Sequence, residues 1–256
     1  CREVEQLKTT YNEMTDDIND LVKRVTEDEK FKRKVELKIL YEQIKPHFLY
    51  NTIDALTYLA LTGQNEELCN SLEAFGGFYR NLLSKGRDVI PVKNEIEMIK
   101  DYLDLQKLRY GNEISYEIWV DEEISNFKVL KMILQPFVEN SIIHGFKGME
   151  KCGVLRVDIF LSETGEKVNI IIEDNGKGMP GEISEAFNSR EQAIKDGGSS
   201  IGLHNAFARM DMYYGKEAVW NVNSIEGMGT VITLTLPSHT VIPDNAETIP
   251  GGGNNL

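Results

Sequence analysis

A histidine beside a proline stands in a long helical pattern near the start of the chain, within Gln43–Asn51. His47, Asn51 and Asp54 fall on one polar stripe, since residues three or four apart share a helix face. A neutral imidazole is a nucleophile near pH 7, and Pro46 would bend the helix and direct the imidazole towards a partner. A surface histidine on a kinked helix explains the same pattern equally well. The stretch alone leaves both interpretations open.

An acidic residue and two spaced glycines follow a predicted buried strand in the segment Asp174–Gly178. A carboxylate at a strand end can accept a hydrogen bond from a flat base. Gly176 and Gly178 supply the backbone freedom that lets such a base approach closely. On its own, this motif is explained equally well by a turn after a strand.

Three further polar or glycine-rich segments flank this motif. Asn140 and His144 lie one turn apart on a predicted helix, and an amide oxygen suits Mg²⁺ that is already shared with phosphates. The loop 197–200 runs into a predicted helix, where backbone N–H groups favour phosphate. Gly229–Thr230 begins a strand. Each segment is weak alone, but the four segments in this order strongly indicate a nucleotide site.

The apolar periodicity predicts the elements that would hold these residues. A helix passes through His47 to about Leu61. After a turn at Thr62–Asn65, a second helix contains Gly76–Gly77, where we expect close helix packing. The other predicted elements are a helix Lys93–Arg109, a strand Ile114–Val120, a helix Val129–Phe146, strands Val154–Leu161 and Val168–Ile172, a helix Ile201–Tyr214, and strands Ala218–Val222 and Thr230–Leu236. Helices and strands interleave in this half, which predicts a mixed α/β sandwich.

The N-terminal part of the chain predicts self-association. Apolar residues from Val4 to Val25 alternate three and four apart, which is typical of a coiled-coil seam. Two antiparallel helices bury too little surface alone, whereas two copies of the hairpin would form a four-helix bundle. We therefore expect a parallel homodimer. The predicted apolar side of the second helix is Leu68, Leu72, Phe75, Tyr79 and Leu82.

Composition excludes some classes of function. The formal net charge of −13 over 256 residues argues against nucleic acid as a direct partner, because phosphate binding needs clustered Lys and Arg. The cysteines Cys1, Cys69 and Cys152 are far apart, which indicates a reducing setting without structural disulfides. No apolar run is long enough to span a membrane, and no signal peptide is visible. Since the sequence opens within a helical pattern, we expect it to be a fragment of a longer protein.

The motifs together resemble a known family. The nucleotide motifs resemble the N, G1 and G2 boxes of the GHKL superfamily, which gyrase, Hsp90, MutL and histidine kinases share. Pro46–Asn51 resembles the phosphoacceptor box of LytS/YesM-like sensor histidine kinases, and Tyr102–Tyr110 and Gln135–Asn140 match the same branch. Residues 3–14 resemble the second helix of a HAMP signalling linker. The residues of the nucleotide boxes are Asn140, Asp174, Gly176, Gly178, Ile201–Leu203 and Gly229–Thr230.

The resemblance implies an α+β kinase core. Residues 1–28 would be a coiled coil ending a HAMP-like linker, and 29–88 a dimerising phosphoacceptor hairpin that forms a four-helix bundle. Residues 89–237 would be a Bergerat-type α/β-sandwich that binds ATP and Mg²⁺, followed by a disordered tail, 238–256. The kinase would autophosphorylate a histidine and pass the phosphoryl group to an aspartate of a response regulator receiver domain. The chain would be the cytoplasmic portion of a bacterial protein whose upstream transmembrane segment reaches the inner or plasma membrane.

The same resemblance implies roles for single residues. Asp174 would hydrogen-bond the adenine amino group, and Asn140 would ligate Mg²⁺. The remaining expected nucleotide-binding residues are His144, Gly176, Gly178, Gly202, Leu203, Asn205 and Thr230. The expected catalytic residues are His47 as phosphoacceptor, Asn51 and Glu139. The segment Met179–Ser200 would form a mobile lid over the phosphates.

Two departures from the family pattern and two alternative functions remain to be considered. Ser200 stands where many relatives have glycine, and no acidic residue directly follows His47, so the group that takes the imidazole proton is open. One alternative is a GHKL-type ATPase clamp, which needs no acceptor histidine. The other is a nucleotide-binding signalling dimer without kinase activity, against which the intact Asn140 and Asp174 argue.

Overall fold

The computed structural model describes residues 46–83, 89–125, 127–194 and 201–237. The chain divides into two compact units, Cys1–Asp54 and Ala55–Leu256. The predicted coiled coil, the tail 238–256 and Ser200 lie outside the described residues. These features, and the predicted domain boundaries, stay predictions.

The secondary structure alternates helices and strands after an all-helical start. The helices are α1 (Pro46–Leu61), α2 (Asn65–Leu83), α3 (Val92–Tyr110), α4 (Gln135–Asn140), α5 (Gly181–Asn188), α6 (Arg190–Ile194) and α7 (Ile201–Tyr214). A π-helix, Ser141–Gly145, continues α4, and 3₁₀ turns lie at Gly111–Glu113, Glu122–Ile124 and Gly215–Glu217. The strands are β1 (Val89–Pro91), β2 (Ile114–Val120), β3 (Lys128–Leu130), β4 (Gly153–Leu161), β5 (Lys167–Asp174), β6 (Val219–Ile225) and β7 (Gly229–Pro237).

A tight turn joins α1 to α2. Gly63 has a φ of 72°, in the left-handed region that glycine adopts without a steric penalty. Helix α2 carries Glu66 and Glu67 in its first turn and Arg80 in its last turn. These charges oppose the helix dipole and therefore stabilise both ends of α2.

Helix α2 packs closely against α3 at one of its two glycines. A Cβ on Gly77 would lie 2.6 Å from Asp101 Oδ2, whereas a Cβ on Gly76 would meet nothing within 4 Å. Close packing is therefore confirmed at Gly77 alone. On the predicted apolar side of α2, Leu82 is buried in the single chain, whereas Leu72 is 49% exposed. The buried side chains of α2 are Ser71, Phe78 and Leu82.

Five strands form the central sheet in the order β2-β4-β5-β7-β6. The β2–β4 pair is parallel and the other three pairs are antiparallel. Alternate residues of the inner strands are buried, as the period of two requires. These buried residues are Leu155, Val157, Ile159, Val168, Ile170, Ile172, Ile232, Leu234 and Leu236. The predicted helical region followed by a mixed α/β domain is confirmed.

The prediction of one helix over Val129–Phe146 was wrong in its first part. β3 pairs antiparallel with β1, and the chain then turns through Met132, whose φ is 57°. Helix α4 begins only at Gln135, with Pro136 in its first turn. A proline is tolerated there because its missing N–H has no partner within the helix.

The segment predicted as a lid contains two helices in its first part, α5 and α6. The Asn188 side chain donates to Val222 O at 2.8 Å and accepts from Val222 N at 2.7 Å. The indole N–H of Trp220 donates to Phe187 O at 2.9 Å, and Arg190 donates from Nε to Asp211 Oδ1 at 2.6 Å. Residues 181–194 are thus attached to β6 and α7. Within the predicted lid segment, residues 195–200 lie outside the described part of the chain.

Candidate nucleotide-binding site

Asp174 lies at the end of the central strand β5, opposite Thr230 of β7. Its carboxylate accepts the hydroxyl proton of Ser141 at 2.6 Å and the backbone N–H of Gly176 at 2.9 Å. The backbone N–H of Thr230 also favours the ionised form and so lowers the pKa of this carboxyl. The side chain is buried, and it joins the π-helix that continues α4 to the end of β5.

Burial raises the pKa of Asp174 above its ordinary value. The donors on Ser141, Gly176 and Thr230 oppose this shift, and the nearby charge of Glu173 adds to it. A carboxylate that has lost most of its water gains from any further donor placed beside it. The Asp174 carboxylate is thus suited to accept a hydrogen bond from a ligand.

Two glycines leave space around this carboxylate. A Cβ on Gly176 would lie 2.7 Å from Asp174 Oδ1 and 2.8 Å from Gly145 Cα. A Cβ on Gly145 would lie 3.4 Å from the same oxygen, which is a tight contact. Side chains at these positions would push the π-helix away from β5. Glycine at both positions therefore allows the helix end and the strand end to touch.

The loop after Asp174 is built into the surrounding backbone. Gly178 has a φ of 66°, and a Cβ there would lie only 2.1 Å from Ile225 O, so no other residue fits. Lys177 N–H donates to Gly145 O at 3.0 Å, and Gly227 N–H donates to Lys177 O at 2.7 Å. Gly176 and Gly178 are thus required by contacts within the protein itself, and the predicted approach of a base to these glycines stays a prediction.

Two serines in this site were not predicted from the sequence. Ser141 donates to Asp174, as described above. Ser224 on β6 lies 2.9 Å from Thr230 Oγ1, donates to Gly229 O at 3.0 Å and accepts from Met179 N at 2.9 Å. The predicted residue Thr230 is buried in this cluster. The position of Ser141 directly after Asn140 was the available signal for the first serine, and no local signal marks Ser224.

Helix α4 and its π-helical continuation carry three predicted residues. Asn140 is half-buried and His144 is exposed. Glu139 is buried, and its Oε1 accepts from Gln135 Nε2 at 3.1 Å. The negative charge of Glu139 raises the pKa of Tyr102 on α3, after the larger effect of burial. The Glu139 side chain therefore lies near α3, whereas Ser141 and Gly145 contact Asp174.

The start of α7 carries the three residues predicted downstream. Leu203 is buried in the core, and Gly202 and Asn205 are exposed. A Cβ on Gly202 would meet nothing within 4 Å, so packing within the chain does not explain the glycine. Phe207 on α7 meets Phe137 of α4 edge to face at a centroid distance of 5.4 Å, and it stacks on Trp220 of β6 at 4.9 Å. These rings hold α7 against the sheet.

His47 and Asn51 both lie on α1, as predicted. Asn51 is half-buried and follows His47 by one helical turn. In the part of the chain that the structure describes, the His, Cys, Asp and Glu side chains form no group of three or more that could hold a metal ion. No described helix is both long and apolar enough to cross a membrane.

The fold and the site agree with two family matches. Residues 126–240 match the family of histidine kinase-, DNA gyrase B- and HSP90-like ATPases. This match covers Asp174, its glycine loop, α7 and every strand of the central sheet except β2, and it defines an ATP-binding domain. Residues 35–114, which contain His47, match the histidine kinase family. The two matches stand in the order predicted, so a histidine kinase segment precedes a histidine kinase-type ATPase segment in this chain.

Relatives with curated names support the same branch. The sensor histidine kinase YesM of Bacillus subtilis (strain 168) is 28% identical over 235 residues, which are 92% of this chain and 39% of YesM. The sensor histidine kinase YpdA of Escherichia coli (strain K12) is 28% identical, over 85% of this chain and 37% of YpdA. The sensor protein LytS of Bacillus anthracis is 29% identical, over 81% of this chain and 35% of LytS. The chain thus spans well under half the length of these relatives. The predicted LytS/YesM-like resemblance is confirmed.

Proposed function

We propose that this chain is the catalytic part of a sensor histidine kinase that binds Mg²⁺-ATP and transfers its γ-phosphoryl group to His47. The observation that carries the proposal is the buried Asp174 carboxylate at the end of β5, bordered by Gly145 and Gly176. The family matches add that a histidine kinase segment precedes this site in the same chain. A clamp ATPase would not need that segment.

Asp174 is the proposed anchor for the adenine base. Its carboxylate already has two donors from the protein, and each oxygen can accept more than one hydrogen bond. The adenine amino group would be a further donor to a desolvated acceptor. Glycine at 176 and 178 lets the loop after Asp174 pack against Gly145 and Ile225, which would hold the carboxylate in place for the base. The open face of Gly202 would let backbone meet the phosphates.

The residues present fit a magnesium ion that is held mainly by the substrate. Asn140 offers one amide oxygen, and in the described residues no acidic group of three stands ready to bind a metal alone. Mg²⁺ usually keeps waters and binds through few protein ligands plus phosphates. When bound, the ion would neutralise charge on the phosphates. Asn140 would fix its position, and His144, one turn further, would lie near the phosphate end of the site.

His47 is the proposed phosphoacceptor, with Asn51 as a neighbour that can orient the imidazole. A neutral imidazole nitrogen has a lone pair that can attack the γ-phosphorus, and ADP would leave as the other product. An amide accepts a proton poorly, so Asn51 would position the ring rather than deprotonate it. Glu139 is the third proposed catalytic residue. It lies on α4 beside Asn140, and its buried carboxylate accepts a hydrogen bond from Gln135.

The proposed partners are a second copy of the chain and a response regulator receiver domain. Exposed apolar residues on the helical hairpin support self-association, because such residues gain stability when they are buried between helices. In the single chain, Tyr58 is 64% exposed and Leu61 is 83% exposed. The receiver domain would take the phosphoryl group from His47 onto an aspartate.

We further propose that the chain is the cytoplasmic portion of a bacterial membrane protein. The support is that similar proteins are named sensors and are much longer than the matched region. Fractionation of cells that express the full-length gene product would test this placement. Recovery in the soluble fraction would contradict it.

Incubation with γ-labelled ATP, followed by mapping of the labelled residue, tests the proposed reaction. We expect one acid-labile and base-stable label on His47, as a phosphoramidate requires. His47→Ala should remove the label and leave ATP affinity nearly intact, because the residue lies outside the proposed nucleotide site. Label that survives acid, or that persists in His47→Ala, would return the clamp ATPase interpretation to consideration.

A further inference from the structure

A buried carboxylate on α3 binds the loop that leads into α4. Glu95 is 1% exposed, its Oε2 accepts Met132 N–H at 2.7 Å, and its Oε1 accepts Leu134 N–H at 3.0 Å. The backbone N–H of Ile133 contributes as well. Two amides of the loop Lys131–Leu134, those of Met132 and Leu134, therefore bond to one carboxylate.

A cation on α7 binds the same loop through its carbonyl groups. Arg209 donates from Nη2 to Lys131 O at 2.8 Å and from Nη1 to Met132 O at 3.3 Å. The positive charge of Arg209 also favours the ionised form of Glu95, although burial raises the pKa of that carboxyl. The N–H groups of the loop thus face an anion on one helix, and its C=O groups face a cation on another.

A third group extends these contacts to the strand before the loop. The hydroxyl oxygen of Tyr214, at the end of α7, accepts Leu130 N–H at 2.8 Å. Met132, in the centre of the loop, has a φ of 57°, which a residue with a Cβ adopts only when its surroundings enforce it. Lys131 also donates from Nζ to Leu82 O at 3.1 Å, near the end of α2.

Burying a carboxylate is costly, and an apolar side chain would fill the same space at lower cost. Packing alone therefore does not explain Glu95. A charged group that binds two backbone amides of one loop does hold them in one conformation. The positions that this conformation controls are close, because α4 starts directly after Leu134 and Asn140 is its last residue. Arg209 follows Gly202 by two turns on the single helix α7.

We propose that Glu95, Arg209 and Tyr214 are positioning residues for phosphoryl transfer, which set the Asn140-bearing helix α4 relative to the Gly202-bearing helix α7. The proposal rests on the kinase function proposed above. None of the three residues needs to touch ATP. They act through the loop Lys131–Leu134, which is satisfied only when both α3 and α7 are in place.

The first test compares Glu95→Gln with Glu97→Gln, an exposed residue on the same helix. Gln at 95 keeps the size of the side chain, but its NH₂ group faces one of the loop amides and the attraction to Arg209 is lost. We expect kcat for autophosphorylation to fall about tenfold to a hundredfold. The dissociation constant for ATP should stay nearly unchanged, since Asp174 is not disturbed, while the Mg²⁺ concentration for half-maximal rate should rise. Glu97→Gln should match wild type in all three measurements.

Milder variants keep the proposal testable if Glu95→Gln does not fold. Arg209→Lys keeps the charge but cannot bond both carbonyls in the same fork geometry, and Tyr214→Phe removes one acceptor and no ring atoms. Both variants should lower kcat more than they change ATP affinity. The amides of Met132 and Leu134 should exchange hydrogen faster in Arg209→Lys, and the amide of Leu130 should do so in Tyr214→Phe. Exchange thus reports on the loop and the strand before it independently of activity.

Two results would overturn the proposal. One is a set of folded variants with faster loop exchange and a lower melting temperature that keep wild-type kcat and Mg²⁺ dependence, since these residues would then only stabilise the fold. The other is loop exchange that does not change in any variant. Failure of the kinase function itself would appear differently, as wild-type protein that places no label on His47.

Discussion

Replacing Asp174 by Asn exchanges one oxygen acceptor for an NH₂ donor without changing the size of the side chain. Oriented with its oxygen towards Gly176 N–H, the amide would place its NH₂ where Oδ2 now lies, 2.6 Å from Ser141 Oγ. Ser141 can then accept from the amide and turn its own proton towards Phe137 O, 3.4 Å away. A buried charge is removed at the same time. We therefore expect Asp174→Asn to fold, with a melting temperature near that of wild type.

The loss should fall on ATP binding. The NH₂ of Asn cannot accept from the adenine amino group, and leaving such donors unpaired costs roughly 1–3 kcal/mol, or about 5-fold to 150-fold in Kd. GTP carries a carbonyl oxygen where ATP carries the amino group. The variant should therefore bind GTP better, relative to ATP, than wild type does. Labelling of His47 should fall in parallel with ATP occupancy.

Calorimetric titration of wild type and Asp174→Asn with both nucleotides measures this ratio. Glu173→Gln is a matched control, because it removes one negative charge from the adjacent, exposed residue. It should leave the ratio unchanged. The reasoning is refuted by a folded Asp174→Asn that binds ATP as wild type does, or by one that loses affinity for ATP and GTP equally.

Three further predictions address the dimer, the glycine loop and the helical packing. Light scattering of the chain should give twice the mass of 29.1 kDa, and a monomer at micromolar concentration would contradict the proposed bundle. Gly178→Ala should abolish ATP binding because its Cβ would collide with Ile225 O, whereas Gly181→Ala, with nothing within 4 Å, should bind as wild type. Burial, with help from Asp104 and Glu97, raises the pKa of Asp101 from 3.8 to about 6. The Asp101 carboxyl therefore binds a proton more tightly in the folded state than in the unfolded state. Protonation of Asp101 stabilises the fold, and this contribution is lost as pH rises through about 6. At pH values above about 6, Asp101→Asn should melt at a higher temperature than wild type, and this difference should shrink as the pH falls towards 3.8. A difference in melting temperature that is the same at high and low pH would mean that Asp101 does not titrate in this way.

The strands of the sheet could be predicted because their local pattern matches their burial. Val and Ile residues alternate in β4, and the predicted strand Val154–Leu161 is observed as Gly153–Leu161. The glycines after Asp174 could be recognised because their freedom is required by contacts within a few residues or by backbone that passes close by. The residues of the proposed nucleotide site and the proposed acceptor histidine are therefore visible in the sequence.

Long-range contacts explain what could not be predicted. The loop 131–134 continues an apolar pattern that resembles a helix, but Glu95, 37 residues before Met132, holds its amides in another conformation. Helices α5 and α6 are short and mostly exposed, with Phe187 and Ala193 among their few buried residues. Ser224 joins the site only because β6 pairs with β7. In each case the decisive partner lies far away in the sequence.

The Asn188 side chain on Val222 also has a consequence for solubility. β6 is the last strand of the sheet, and an uncovered strand edge is a template on which another chain can pair and aggregate. Asn188 occupies both the N–H and the C=O of Val222, in the middle of that edge. The side-chain amide of Asn188 thus makes the two hydrogen bonds that a residue of a neighbouring strand would make. At this point it prevents a strand of another chain from pairing with β6.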